Sequence, residues 1–287
     1  MSVSTALRRL LPSFLGGKRP PTVAVLRLEG VIGAMGGLRQ GLTIAGTAAL
    51  IDRAFKVRPL SAVALVINSP GGAATQSALI HERIRLLAEE KKVPVYAFCE
   101  DVAASGGYML ALAADRIIAH PTSIVGSIGV ISGGFGFDKA ISKLGIERRI
   151  YTAGANKHRL DPFLPENPDD ITHLKSLQAD IHAIFKDMVT GRRGLRLKET
   201  AGDLFTGDVW TGRRALELGL IDGLGEIRST LKAELGEKVR LVPIAPKKRM
   251  FALGRLLTRR GGLDGGGLAG DALSTVEARG LWSRFGL

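Results

Sequence analysis

The sequence predicts an α/β protein, with a parallel β-sheet built from β-α units and an extra helical segment, and three observations predict it. Apolar, β-rich runs alternate with helix-compatible stretches from residue 22 to about residue 152, the order that gives parallel sheets covered by helices. Two of those runs, Ala62 to Ile67 and Val93 to Cys99, stop in consecutive units at glycine-bearing turns, Asn68-Ser-Pro-Gly-Gly72 and Ala104-Ser-Gly-Gly107. After the proline-rich stretch Asp161 to Pro168, a long amphipathic segment from Asp169 to about Thr190 has no strand pattern beside it, which makes it the extra helix.

Taken in order, Val23 to Leu28 reads as a strand, Ile44 to Phe55 as a helix and Ala62 to Ile67 as a second strand. Ala74 to Lys91 is a helix with Ile80, Ile84 and Leu87 on one face, and Val93 to Phe98 is a third strand. Tyr108 to Ala114 is helix-compatible, Arg116 to Ala119 a short strand, Phe137 to Leu144 a helix and Glu147 to Thr152 a strand. In the long helix, Ile171, Leu174, Leu177, Ile181, Ile184 and Met188 form a stripe expected to pack on the body. Residues 117–137 hold no Asp, Glu, Lys or Arg, but Pro121 and five glycines between 126 and 136 exclude a continuous spanning helix there. Short strands and a Gly-rich loop are expected instead. Arg192, Arg193 and Arg196 read as a solvated loop.

Ser105 stands where the third strand gives way to a helix, with Gly106 and Gly107 directly after it. A serine there has two readings: a helix N-cap, for which serine is a preferred residue, or a nucleophile presented by a strand-turn-helix, although the spacing is not that of a G-x-S-x-G elbow. Gly72 ends the preceding unit, and strand ends of adjacent parallel units lie side by side. Backbone N–H groups of Gly72 and Gly106 are therefore candidates for an oxyanion hole beside Ser105. A plain Pro-Gly turn is the competing reading of residues 68–72.

Five segments, Asn68-Ser-Pro-Gly-Gly72, Ala104-Ser-Gly-Gly-Tyr108, Gly126-Ser-Ile-Gly-Val130, Gly154-Ala-Asn-Lys-His-Arg-Leu-Asp-Pro-Phe163 and Thr211 to Asp222, occur in this order. Together they resemble the signal peptide peptidase A family of serine proteases over roughly residues 22–244. The resemblance implies a fold related to Clp protease and crotonase, a Ser-Lys dyad with Ser105 as nucleophile and Lys157 as general base, and support of the lysine by Ser127. It also implies a ring-like homo-oligomer whose sites are shared between adjacent subunits, and hydrophobic or unfolded peptides, such as released signal peptides, as substrates. A free lysine with a pKa near ~10.4 is protonated at neutral pH and accepts no proton. The site must therefore desolvate Lys157, and a neighbouring subunit is a way to do so.

The net charge of +13 is concentrated at the ends. Arg8, Arg9, Lys18 and Arg19 lie in the first 20 residues with no acid, and eight of the Lys and Arg residues follow Pro246 against three acids. This divides the chain into a basic N-terminal segment (1–21), a peptidase-like domain (22–244) and a basic Gly-rich tail (245–287) with a linker-like run at 261–267. Such ends suit an anionic membrane surface rather than a nucleic acid. Leu7, Leu10, Leu11, Phe14 and Leu15 are too short a set to span a bilayer or to act as a secretory signal, so the expected location is the cytoplasmic side, peripheral to the inner membrane. No Cys/His cluster has metal-ligand spacing and no phosphate-binding loop is present, so no metal or other cofactor is expected. Cys99 reads as a buried small hydrophobe.

Two further readings stay open. One is a Ser-His hydrolase using His120 or His158; the other is a crotonase-like acyl-CoA enzyme or a catalytically silent membrane-associated scaffold on the same fold. For the acyl-CoA enzyme, residues 62–72 and 102–110 supply no acidic catalyst.

Overall fold

The computed structural model describes residues 20–33, 41–198, 204–246, 275–276 and 279–286. The N-terminal segment and most of the tail, on which the membrane expectation rests, lie outside these residues. Strands β1 (Thr22–Glu29), β2 (Ala62–Ser69), β3 (Val95–Ala104) and β8 (Arg240–Ile244) run parallel in the order β3-β2-β1-β8 within an eight-stranded sheet. Helices α1 (Ile44–Ala54) and α2 (Ala74–Lys91) connect and cover them. The predicted α2 has these same bounds, because its apolar face of Ile80, Ile84 and Leu87 packs into the main core.

β3 is longer than its apolar run suggests and serves two neighbours in turn. Its first half pairs with β4 (Arg116–Ala119), and its last three residues pair with β5 (Ile124–Gly126). The register against β2 slips between Ile67 and Ser69. There the Asn68 side chain closes the gap, accepting from the Val102 N–H at 3.2 Å and donating to Asp101 at 2.8 Å. The bulge hides the strand's continuation from a reading of hydrophobic runs, since Glu100 and Asp101 fall within it.

The chain continues through the short helices α3 (Gly106–Ala111) and α4 (Asp138–Lys143) to the long helix α5 (Pro168–Arg193). Then follow β6 (Val209–Thr211), α6 (Gly212–Glu217), β7 (Gly223–Leu224) and α7 (Ile227–Leu235). β6 pairs antiparallel with β5, and β7 pairs parallel with β4.

Three expectations are corrected. Residues 147–152 form no strand: all but the half-buried Ile150 lie exposed, Tyr151 at 91%, with no strand among the described residues alongside to take their backbone hydrogen bonds. Much of the apolar stripe of α5 is exposed, including Leu177 and Ile184, and the helix buries Phe185, Val189 and Arg193 instead. The basic patch is not a solvated loop either. Arg193 is buried, makes a two-pronged pair with Asp222 at 2.8 and 2.9 Å, and donates to the Gly219 carbonyl.

Candidate active site

Ser105 occupies the residue between β3 and α3 in a backbone conformation, φ 52° and ψ −121°, that non-glycine residues rarely adopt. Strain of this kind costs on the order of 1–3 kcal/mol and persists only where the surroundings impose it. The surroundings are visible: the Ser105 N–H donates to the Gly126 carbonyl at 2.7 Å, and its carbonyl accepts from Tyr108 and Met109. Although Ser105 sits at the N-cap position, its hydroxyl makes no capping bond. The side chain is thus not used as a cap, which separates the two sequence readings of this serine.

Gly71 and Gly72 pass directly against it, with φ of 100° and 142°. A side chain on Gly71 would meet the Ser105 Cβ at 2.7 Å and the Gly106 nitrogen at 2.8 Å. A side chain on Gly106 would come within 3.4 Å of the Gly72 nitrogen. Neither the Gly72 N–H nor the Gly106 N–H has a hydrogen-bond partner among the described residues. Two unspent donors therefore lie beside an unspent hydroxyl, an arrangement suited to an anion that forms on an atom bonded to that hydroxyl. The Pro-Gly stretch is a turn whose backbone also delimits this space.

The hydroxyl opens into a cleft of about 590 Å³. Its walls include Pro70, Met109, Ser127, Ile131, Ile181, Phe185 and Thr206, with Leu281 and Arg284 from the far end of the chain. Ser127 is buried at 8% exposure with φ 51°, and its N–H is held by the Asp208 carbonyl at 2.7 Å. Gly126, before it, faces the Trp210 ring so closely that an added Cβ would lie 2.5 Å from it. From the other side, His182 on α5 bonds the Ile128 carbonyl at 3.2 Å. Sequence reasoning missed Ile181, His182, Phe185, Leu281 and Arg284. Ile181 belongs to the apolar stripe read as packing, His182 and Phe185 lie outside that stripe, and nothing local marks the tail residues as part of a site.

Lys157 is not brought to this cleft within one chain. It lies exposed in the stretch 131–167, in which no residue is buried. Among the described residues its backbone N–H donates to the Gly154 carbonyl at 3.2 Å. The stretch exposes large apolar groups, Ile131 at 72% and Leu144 at 73%. His120 bonds Thr122 beyond the end of β4, and His158 is exposed near Asp161. Neither histidine lines the cleft. Cys99 is buried, its thiol pushed up to about 12 by burial. Among the described residues no group of His, Cys, Asp and Glu has the arrangement to hold a metal ion.

The model of Peptidase family S49 matches residues 87–240. A Brucella abortus protein named Na(+)/H(+) antiporter NhaA is 50% identical over 98% of this chain, which spans 39% of that protein. The chloroplastic serine protease SPPA of Arabidopsis thaliana is 30% identical over 81% of this chain and 34% of its own length. The chain thus spans between a third and two fifths of these relatives. In fold it is similar to the 1510-N membrane-bound stomatin-specific protease, solved as a mutant with a substrate peptide (TM-score 0.51, 19% identity, 80% of this chain and 95% of the other). That likeness bears out the Clp protease/crotonase-like architecture.

Proposed function

The chain belongs to peptidase family S49, and on that premise we propose that it is a serine endopeptidase in which Ser105 is the nucleophile, Lys157 the general base and the N–H groups of Gly72 and Gly106 the oxyanion hole. The observation that carries this reading is the strained backbone of Ser105, with its non-capping hydroxyl beside two N–H groups that have no partner among the described residues. In the reaction, the Ser105 Oγ attacks the scissile carbonyl as the lysine amine takes its proton. The carbonyl oxygen becomes the anion held by the two N–H groups. Collapse of the tetrahedral intermediate expels the new amine, which receives that proton, and water then releases the acyl group by the reverse exchange.

A lysine amine in water is protonated at neutral pH, so the base needs an enclosure. One chain leaves Lys157 exposed on a stretch with large uncovered apolar groups, the kind of surface that marks an interface. A second copy covering residues 131–167 and the open side of α5 supplies that enclosure and a homo-oligomeric shared site. Ser127, buried beside the cleft, is assigned to support the incoming amine. The apolar walls of the cleft favour hydrophobic or unfolded peptides, released signal peptides among them.

The antiporter name borne by the Brucella relative describes a protein of which this chain matches 39%, and no described helix here is long and apolar enough to cross a membrane. Transport is not carried over. Docking of the basic ends on an anionic membrane surface, from the cytoplasmic side, remains part of the proposal. Retention by liposomes containing anionic lipid at low salt, lost at high salt, is the result expected.

Labelling with a fluorophosphonate, read by mass spectrometry, tests the chemistry. Label on Ser105 that vanishes in Lys157→Ala supports the dyad. Label that survives that change points to another base, and no label on a folded oligomer favours a silent scaffold. Mixing Ser105→Ala with Lys157→Ala chains should restore activity in mixed oligomers if the site is shared.

A further inference from the structure

We infer that residues 279–286 are an intramolecular ligand of the Ser105 cleft, seated there as a helical plug that holds substrate out; this rests on the peptidase reading above. Leu281 and Arg284 line the same cleft as Ser105, Ser127, Ile181 and Phe185, although more than 170 positions separate Ser105 from Leu281 in sequence. They stand three apart, and residues three apart share one side of a helix. Residues 279–283 are helical, with the Phe285 N–H bonded to the Trp282 carbonyl at 2.9 Å and the Gly286 N–H to the Ser283 carbonyl at 3.1 Å. Leu281, Trp282 and Phe285 are partly buried, whereas Val276 is exposed. The segment therefore turns its apolar side chains inward, as an amphipathic helix does in a groove.

A helical peptide is a poor substrate for this site. Its carbonyl and N–H groups are spent on its own turns, so its amide carbonyls are not presented to the Ser105 hydroxyl or to the Gly72 and Gly106 donors. Its seat excludes other chains without being cut. Residues 246 and 275 are separated by 28 residues, seven of them glycine, and a chain of that length can reach about 30 Å. The segment can thus leave the cleft without unfolding the sheet. Tethering at that length gives an effective concentration on the order of 1 mM. An intrinsic Kd of about 0.1 mM is then sufficient for roughly ten-fold suppression.

Two measurements on the full chain test the inference. The first is the rate of fluorophosphonate labelling of Ser105 in wild type and in Leu281→Asp/Arg284→Glu. A rise of about ten-fold is expected, and an unchanged or lower rate overturns the plug. The second needs no activity: cysteines placed by Ser132→Cys and Arg284→Cys, joined by a short bis-maleimide, should cross-link within one chain. The link should disappear when Leu281→Asp is added. Absence of the link, or a link only between two chains, also overturns the inference. If neither protein labels at Ser105, the peptidase reading fails and the cross-link alone decides whether the segment is seated.

Discussion

The two halves of the proposed dyad live in opposite surroundings. Ser105 directly follows β3, which pairs with β2 and β5 and is backed by the main core, and its backbone N–H and carbonyl are both held by neighbours. Lys157 sits in 131–167, where nothing is buried and aromatic and aliphatic groups face outward. One half is complete in a single chain and the other is not. On the proposed reading the fold presets the nucleophile and the anion donors by itself and leaves the base to assembly, so that activity should depend on protein concentration although the position of the serine does not.

The contrast can be broken from either side, and the largest effect belongs to the reacting groups. Ser105→Ala should lower peptide cleavage by at least about 10⁴-fold with little change in Tm, measured by turnover and calorimetry on the same sample. Next, Leu144→Glu with Tyr151→Asp should dissociate the oligomer and abolish cleavage, leaving the secondary structure of the chain unchanged by circular dichroism. Activity retained by a monomer of this variant would refute the shared site. On the rigid side, Asp222→Ala strands the buried Arg193 charge and removes the acceptor of the Ile117 N–H. About 3 kcal/mol of stability should be lost, read from urea unfolding.

The smallest effect concerns pH. His81 on α2 is buried with neither ring nitrogen bonded, and its pKa is lowered to about 4 by burial and by the Arg192 and Arg85 guanidinium groups. The unfolded chain takes up this proton near pH 6.5 and the folded chain only near 4, so stability is lost as pH falls through that window. His81→Leu should remove this part of the acid sensitivity and leave neutral stability equal or higher. A full acid slope remaining between pH 6.5 and 4 in the variant would mean that other groups cause it.

What the sequence exposes and what it hides follows from range. The β-α alternation, the α2 bounds and the neighbourhood of Gly72, Ser105 and Gly106 are written in short stretches, because a parallel unit places consecutive strand ends together. Ser105 as a strained, non-capping residue was not legible, since the strain comes from Gly126 and Gly71 pressing on it. The α5 stripe misled because helical periodicity reports an apolar face without saying whether the same chain covers it. Likewise, the alternation at 147–152 lacks a partner strand in this chain. Arg193 and Asp222 form a buried pair across 29 positions, a distance at which no spacing rule operates.

One feature of the serine's frame concerns time. The carbonyl that holds the Ser105 N–H belongs to Gly126, which pairs with Val209 on β6 and lies against the Trp210 ring, while the next residue, Ser127, donates its N–H to the Asp208 carbonyl. A growing polypeptide that has reached residue 200 already contains the hydroxyl and both anion donors but not the strand that fixes them. The proposed nucleophile is thus held only after synthesis has passed β6, and an incomplete chain on the ribosome carries Ser105 without the Gly126 carbonyl in its place.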